Sequence, residues 1–182
     1  MNFYKSIFHI ISSPKAAWEE VRKFSIPKDL LLSKTLYPML AIIAVSVFAK
    51  YFSNSDLTLS ELLSMSISDV CKYFFGYMIS AGLLLSVYKI TKKDEQNKLY
   101  VFIIFNYCIL MFFNILINII PIEIPILNLY PLYSVFIILK GFDYFSFPKS
   151  EEVKFVVLFS IIIILPSIVL EKLFNLLILT NG

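Results

Sequence analysis

Charged, small and reactive side chains are scarce in this sequence. Charged residues make up 16% of its 182 positions, and it contains only four glycines, two cysteines and one histidine. A soluble domain ordinarily carries about 25% charged residues. So few glycines leave no visible phosphate-binding loop, and His9 has no partner at metal-ligand spacing. We therefore expect no catalytic residues, no metal and no cofactor, and we do not expect an enzyme.

Hydrophobic residues take the place of the missing charge. They account for 59% of the chain, and the mean hydropathy is +0.81. The longest run without a charge extends from Leu99 to Ile122. At about 1.5 Å per helical residue, this run is long enough to cross a hydrocarbon core of roughly 30 Å. It predicts a transmembrane helix.

Four further hydrophobic runs surround this one, with short polar connectors between them. Together they predict five spans, near residues 35–52, 67–89, 99–120, 124–140 and 153–172. Residues 1–34 then form a cytoplasmic N-terminal segment, and residues 35–182 form the membrane domain. The predicted fold is an all-α polytopic membrane bundle of five transmembrane helices, preceded by two short amphipathic interfacial helices.

The N-terminal segment contains two helical patterns, at residues 2–11 and 14–24, with a break at Ser12–Ser13–Pro14. Apolar residues fall on one face of each pattern, as in helices that lie in a membrane interface. The only tryptophan of the chain, Trp18, is suited to an interfacial anchor. Two interpretations are open. The helices dock on the bilayer or the bundle, or they present a partner-binding face that includes Pro14, Trp18 and Val21.

The basic residues alternate between the predicted connectors. Of the 16 Lys and Arg residues, 13 fall on one side of a five-span bundle and 3 on the other. Short cytoplasmic loops are enriched in Lys and Arg. We therefore expect a multi-pass protein of the cell inner membrane, with its N-terminus in the cytoplasm and its C-terminus on the opposite side. The N-terminus lacks the pattern of a cleavable signal, so we expect the first span to remain as an anchor.

Three asparagines line one face of the third predicted span. Asn106, Asn114 and Asn118 fall at multiples of four residues, and Glu123 follows in a short proline-bounded turn. Polar side chains in a membrane span are expected to point toward neighbouring helices. They serve either as internal hydrogen-bonding residues or as the lining of a solute or ion path.

Two stretches resemble a known family. The first, SIFHIISSPKAAWEEVRK, is an amphipathic segment followed by a serine–proline–basic stretch and a tryptophan, here Ser13, Pro14, Lys15 and Trp18. The second, YPLYSVFIILKGFDYF, places a tyrosine before an apolar run, a glycine and another apolar residue, here Tyr133, Val135–Leu139, Gly141 and Phe142. Both stretches resemble the YIP (Ypt-interacting-protein type) family of five-pass membrane proteins, in its bacterial branch.

The resemblance implies a membrane protein without catalytic residues. Eukaryotic relatives act in vesicle trafficking and engage Rab-type GTPases through a conserved Asp-Leu-Tyr-Gly-Pro motif. The nearest stretch here, Lys28–Asp29–Leu30, lacks the Tyr-Gly-Pro part. GTPase binding is therefore not carried over.

The partners that we expect are membrane lipids, other membrane proteins or a second copy of the chain, and not nucleic acid. The leading hypothesis is a non-enzymatic protein that organises membrane or partner proteins. The alternative is a small transporter or channel subunit with a polar path near Asn106, Asn114 and Asn118. A membrane-embedded lipid enzyme is a third hypothesis, although no paired acids or nucleophile–base set supports it.

Overall fold

The computed structural model describes residues 3–23, 26–52, 55–88, 92–120, 129–145 and 147–179. All regular structure within these ranges is helical. The α-helices are α1 (Phe3–Ser12), α2 (Pro14–Lys23), α3 (Lys28–Leu31), α4 (Tyr37–Ser46), α5 (Leu59–Tyr88), α6 (Lys93–Ile119), α7 (Tyr130–Lys140) and α8 (Glu152–Leu179). A π-helical turn (Leu32–Leu36) joins α3 to α4, and short 3₁₀ segments occupy Val47–Phe52, Phe142–Tyr144 and Lys149–Glu151.

Four helical segments are long and apolar enough to cross a membrane. They are Lys28–Phe52, Leu59–Tyr88, Lys93–Ile119 and Lys149–Leu177. The span predicted at 124–140 appears only as α7, which has 11 residues and an axial length of about 16 Å. Residues 121–128, which include Glu123, lie outside the described ranges.

The first two long helices start earlier than the predicted spans. The first starts at Lys28 and continues through residues 34 and 35. The division into a cytoplasmic segment and a membrane domain at that point stays a prediction. The second starts at Leu59 rather than near residue 67, because Thr58 and Glu61 form a capping box. The Glu61 carboxylate accepts a hydrogen bond from the Thr58 backbone N–H at 2.7 Å, and the Thr58 hydroxyl accepts one from the Glu61 N–H at 3.2 Å.

Contacts between helices define two ends of the bundle. At one end, here called the basic end, the Asn97 side chain accepts a hydrogen bond from the Lys28 N–H at 2.8 Å, and the Tyr88 ring stacks on Phe147. The helices α6 and α8 both start at this end and run in the same direction, whereas α5 runs against α8. The chain must therefore return toward the basic end between α6 and α8. It does so through α7, whose last residue is Lys140.

Stacked aromatic rings form the core near the basic end. The Phe102 ring, on α6, stacks on Trp18 with ring centroids 4.7 Å apart, and Phe155 stacks on Phe159 at 3.9 Å. Such pairs add attraction beyond the area that they bury. Tyr144 closes the cluster against Trp18. Burial raises the pKa of the Tyr144 hydroxyl above its usual range.

The helices α1 and α2 pack against this core rather than standing apart from it. Trp18 is 1% exposed, and its indole N–H donates a hydrogen bond to the Ile137 carbonyl at 3.3 Å. A glycine at 141 permits the close approach of α2 to the end of α7. A side chain there would meet the Phe102 ring and would lie 3.0 Å from the Trp18 Nε1 atom.

Pro166 interrupts the hydrogen-bonding pattern of α8, and a hydroxyl group of α5 replaces the missing donor. A proline has no N–H, so the Ile162 carbonyl one turn earlier loses its normal donor. The Ser80 hydroxyl of α5 donates to that carbonyl, and the Tyr107 hydroxyl of α6 donates to the Ile163 carbonyl at 2.9 Å. Water is not available in hydrocarbon to replace such donors.

The close contact at Pro166 depends on a small residue on α5. At Gly76, an added Cβ atom would lie 3.0 Å from the Tyr107 hydroxyl and 3.2 Å from the Ser167 hydroxyl. Small residues at this position therefore allow α5 to approach both α6 and α8.

We predict that Ser80→Ala lowers the free energy of unfolding by about 1–2 kcal/mol, because the Ile162 carbonyl then loses its donor inside the bundle. Ser86→Ala is the matched control, since the exposed Ser86 hydroxyl bonds only to the Gly82 carbonyl of its own helix. The measurement is denaturant unfolding in mixed micelles, followed by circular dichroism. Equal losses for the two variants would show that the α5–α8 hydrogen bond does not stabilise the fold.

Candidate functional site

A buried cluster of charged residues joins α5 and α8 at the end of the bundle opposite the basic end. The Lys72 side chain is 4% exposed, and its ammonium lies 2.9 Å from the Asp69 carboxylate. The same ammonium lies 3.2 Å from the Glu171 carboxylate of α8. It also lies 4.8 Å from the centre of the Tyr73 ring. We call Asp69, Lys72 and Glu171 the Lys72 cluster.

Two of the three predicted asparagines extend the Lys72 cluster toward α6 and α4. The Asn114 amide donates to the second oxygen of the Asp69 carboxylate at 2.9 Å. The Asn118 amide donates to the Ser46 hydroxyl at 2.9 Å and lies 3.5 Å from the same Asp69 oxygen. Ser46 in turn donates to the Ile43 carbonyl of its own helix at 2.8 Å. The network therefore links four helices through hydrogen bonds and ion pairs.

Asn106 lies away from this network. Its side chain is buried, and its amide donates to the Phe102 carbonyl one turn earlier in α6, at 2.8 Å. The predicted stripe is therefore divided between two environments. Asn114 and Asn118 bond to other helices, whereas Asn106 bonds within its own helix.

The charges of the Lys72 cluster are not equally buried. The Glu171 side chain is 49% exposed, so one of the two carboxylates has access to the surface. Glu171 follows Glu152, the first residue of α8, by about 28 Å along the helix axis. This distance is close to the thickness of a hydrocarbon core.

The sequence did not predict the burial of Lys72. The span-end positions of Asp69, Lys72 and Glu171 suggested access to water, whereas Lys72 is buried between α5 and α8. One signal was present, because a carboxylate and a lysine three residues apart are neighbours on a helix. The contribution of Glu171 could not be predicted, since it lies 99 residues from Lys72.

The residues proposed as a partner-binding face are internal in this structure. Pro14, Trp18 and Val21 are all buried. Their side chains pack against the protein's own helices, as in the alternative interpretation in which α1 and α2 dock on the bundle. Exposed residues of α2 are instead charged, and include Lys15, Glu19 and Arg22.

Among the described residues, no group of three or more His, Cys, Asp or Glu side chains is arranged to hold a metal ion. No protein-family model, no curated protein and no solved structure matches the chain. Its function must therefore be inferred from the arrangement of its own residues.

We predict that Lys72→Met destabilises the protein by about 3 kcal/mol, because Asp69 keeps its charge within the bundle after losing its ion-pair partner. The double variant Lys72→Met, Asp69→Asn should recover most of the lost stability, since the amide that replaces the Asp69 carboxylate is neutral. Lys154→Met, at an exposed position of α8, is the control. The measurement is the unfolding midpoint in detergent. A Lys72→Met protein as stable as the control would contradict an energetic role for the ion pair.

Proposed function

We propose that this chain is a five-pass, non-enzymatic membrane protein that organises membrane or partner proteins through its surfaces. One observation carries this proposal: several polar side chains within the bundle form hydrogen bonds from one helix to another. Asn114 bonds to Asp69, Asn118 bonds to Ser46, and Ser80 and Tyr107 bond to backbone carbonyls of α8 near Pro166. These groups stabilise the bundle, so the outer surfaces of the protein are the parts that contact membrane or protein partners.

The direction of the helices supports five crossings. Since α6 and α8 run the same way, the connection between them has to cross back, and α7 lies along that return. Tyr130, at the start of α7, stacks on Phe113, which lies six residues before the end of α6.

The charge distribution supports a cytoplasmic N-terminus. The basic end contains Lys28, Lys93 and Lys140, together with the charged surface of α2. Basic residues favour the cytoplasmic side of a membrane. The resemblance to the YIP family supports the same topology, and an inner-membrane location with it.

The topology predicts opposite labelling of two engineered cysteines. With Cys71 and Cys108 replaced by serine, Ser55→Cys should react with a membrane-impermeant maleimide in intact cells. Asp94→Cys should react only after permeabilisation. Both positions are exposed, so access depends on the membrane alone. Labelling of Asp94→Cys in intact cells would contradict the orientation. Lys172→Cys tests whether the chain crosses the membrane five times. With five crossings this cysteine lies on the side opposite the N-terminus, and with four crossings it lies on the same side.

A second candidate function is transport coupled to a cation. The Lys72 cluster favours it, because ionisable residues within a membrane protein often mark ion or proton pathways. In such transport, a proton or a small cation would replace the Lys72 ammonium as the partner of the Glu171 and Asp69 carboxylates. The amide of Asn114 would then position Asp69.

Co-purification in mild detergent tests the first candidate against the second. We predict a stoichiometric membrane-protein partner that is lost when Glu20→Lys and Lys23→Glu reverse two exposed charges of α2. Ser55→Lys with Ser60→Lys, at exposed positions of the opposite end, is the control. Transport would be favoured by a proton or cation flux in liposomes that Asn114→Leu abolishes and Asn106→Leu leaves intact. Such a flux, together with the absence of a partner, would contradict the organising role.

A further inference from the structure

A cleft opens at the basic end between α2 and the chain that follows α7. Its volume is about 570 Å³. Trp18, Tyr144, Phe145 and Phe147 form its aromatic walls. Five charged residues also line it, three of them cationic: Lys15, Arg22, Lys140, Glu19 and Asp143. We call it the α2–α7 cleft.

The three cations of the α2–α7 cleft retain donors for a ligand. Arg22 uses one terminal nitrogen to donate to the Asp143 backbone carbonyl at 3.1 Å. The Lys140 ammonium lies 5.3 Å from the centre of the Phe136 ring. Among the residues that the structure describes, none of the three forms a salt bridge with a carboxylate. Their charge therefore has no paired carboxylate within the described ranges.

A second cleft, of about 390 Å³, adjoins the first and is mostly apolar. It shares Lys15, Glu19 and Lys140 with the α2–α7 cleft and continues over Pro14 and Phe136. Phe136 is 41% exposed on α7. A charged site thus continues into an apolar groove along a helix that we propose to lie in the membrane. This combination matches a phospholipid, which has a charged headgroup and apolar chains.

We propose that the α2–α7 cleft binds the phosphodiester group of a membrane phospholipid. Arg22 donates from its free nitrogen atoms to the phosphodiester oxygens, and the ammonium groups of Lys15 and Lys140 neutralise its charge. The carboxylates of Glu19 and Asp143 disfavour the doubly charged free phosphate ion. They are able to accept hydrogen bonds from a headgroup ammonium or hydroxyl. One acyl chain lies over Phe136 in the adjoining groove.

This inference rests on the proposed function of a membrane-spanning protein, because a bundle that crosses the bilayer brings its basic end to a headgroup layer. It does not depend on a protein partner. Lipid binding by the purified protein therefore tests it separately from the co-purification experiment, and cysteine labelling tests the topology itself.

Native mass spectrometry of the purified protein, released from detergent, provides the test. The probes are dioleoyl phosphatidylglycerol, dioleoyl phosphatidylethanolamine, dioleoylglycerol and inorganic phosphate. We expect one phospholipid to bind saturably, and dioleoylglycerol and inorganic phosphate to bind about tenfold or more weakly. Arg22→Gln with Lys140→Gln should weaken phospholipid binding about tenfold or more, because two charge-assisted contacts are lost.

Lys149→Gln with Lys154→Gln is the matched control, since it removes the same charge from exposed positions outside the cleft. It should leave phospholipid affinity unchanged. Circular dichroism checks that each variant is folded. If the Arg22→Gln, Lys140→Gln variant is not folded, Lys15→Gln, a change at an exposed position of the cleft, replaces it in the binding measurement. Equal weakening by the control, or equal affinity for dioleoylglycerol, would overturn the proposal. Preferential binding of inorganic phosphate would assign the cleft to a soluble anion and would also overturn it.

Discussion

Hydrocarbon offers no hydrogen-bond partner, and this constraint explains the interior of the protein. A polar group there finds a partner only within the chain itself. The Ile162 carbonyl, which Pro166 leaves without a backbone donor, accepts a hydrogen bond from Ser80. The Ile163 carbonyl accepts one from Tyr107, and the Ile137 carbonyl accepts one from Trp18. The spacing of the helices follows from these pairings, since each one brings two segments to hydrogen-bonding distance. Gly141 and Gly76 occur where that distance leaves no room for a larger side chain.

Charge is divided between two ends with different roles. At one end, Lys72 is buried and paired with Asp69 and Glu171, and it links α5 to α8. At the basic end, Lys15, Arg22 and Lys140 line an open cleft. A buried ion pair is costly to desolvate and gains stability only through close geometry and further hydrogen bonds, which Asn114 supplies here. The open cations have no such partner, and this difference points to ligand binding at the basic end.

Patterns within one segment could be predicted from the sequence, and pairings between segments could not. The charge-free run from Leu99 predicted α6 because its length and composition suffice to identify a span. The helix starting at Leu59 was predicted too short, since Thr58 and Glu61 extend it into the polar connector. The fourth predicted span, at 124–140, is described only from residue 129 onward and contains an 11-residue helix, so length and composition identify four spans among the described residues.

The candidate site shows the same difference between patterns within one segment and pairings between segments. The four-residue spacing of the asparagines predicted an inward-facing stripe, and Asn114 and Asn118 do bond to neighbouring helices. Their partners, Asp69 and Ser46, are 45 and 72 residues away in the chain. Only tertiary contacts reveal such pairs.

The packing described above requires that α2 docks on the bundle by one face, through the buried Trp18. Because Trp18 is the only tryptophan, its fluorescence reports on this contact in the unmodified protein. In lipid nanodiscs the account predicts a blue-shifted emission maximum and little quenching by aqueous acrylamide, as for an indole in an aromatic core. A red-shifted emission that acrylamide quenches freely would show that α2 is not docked, and would contradict the account.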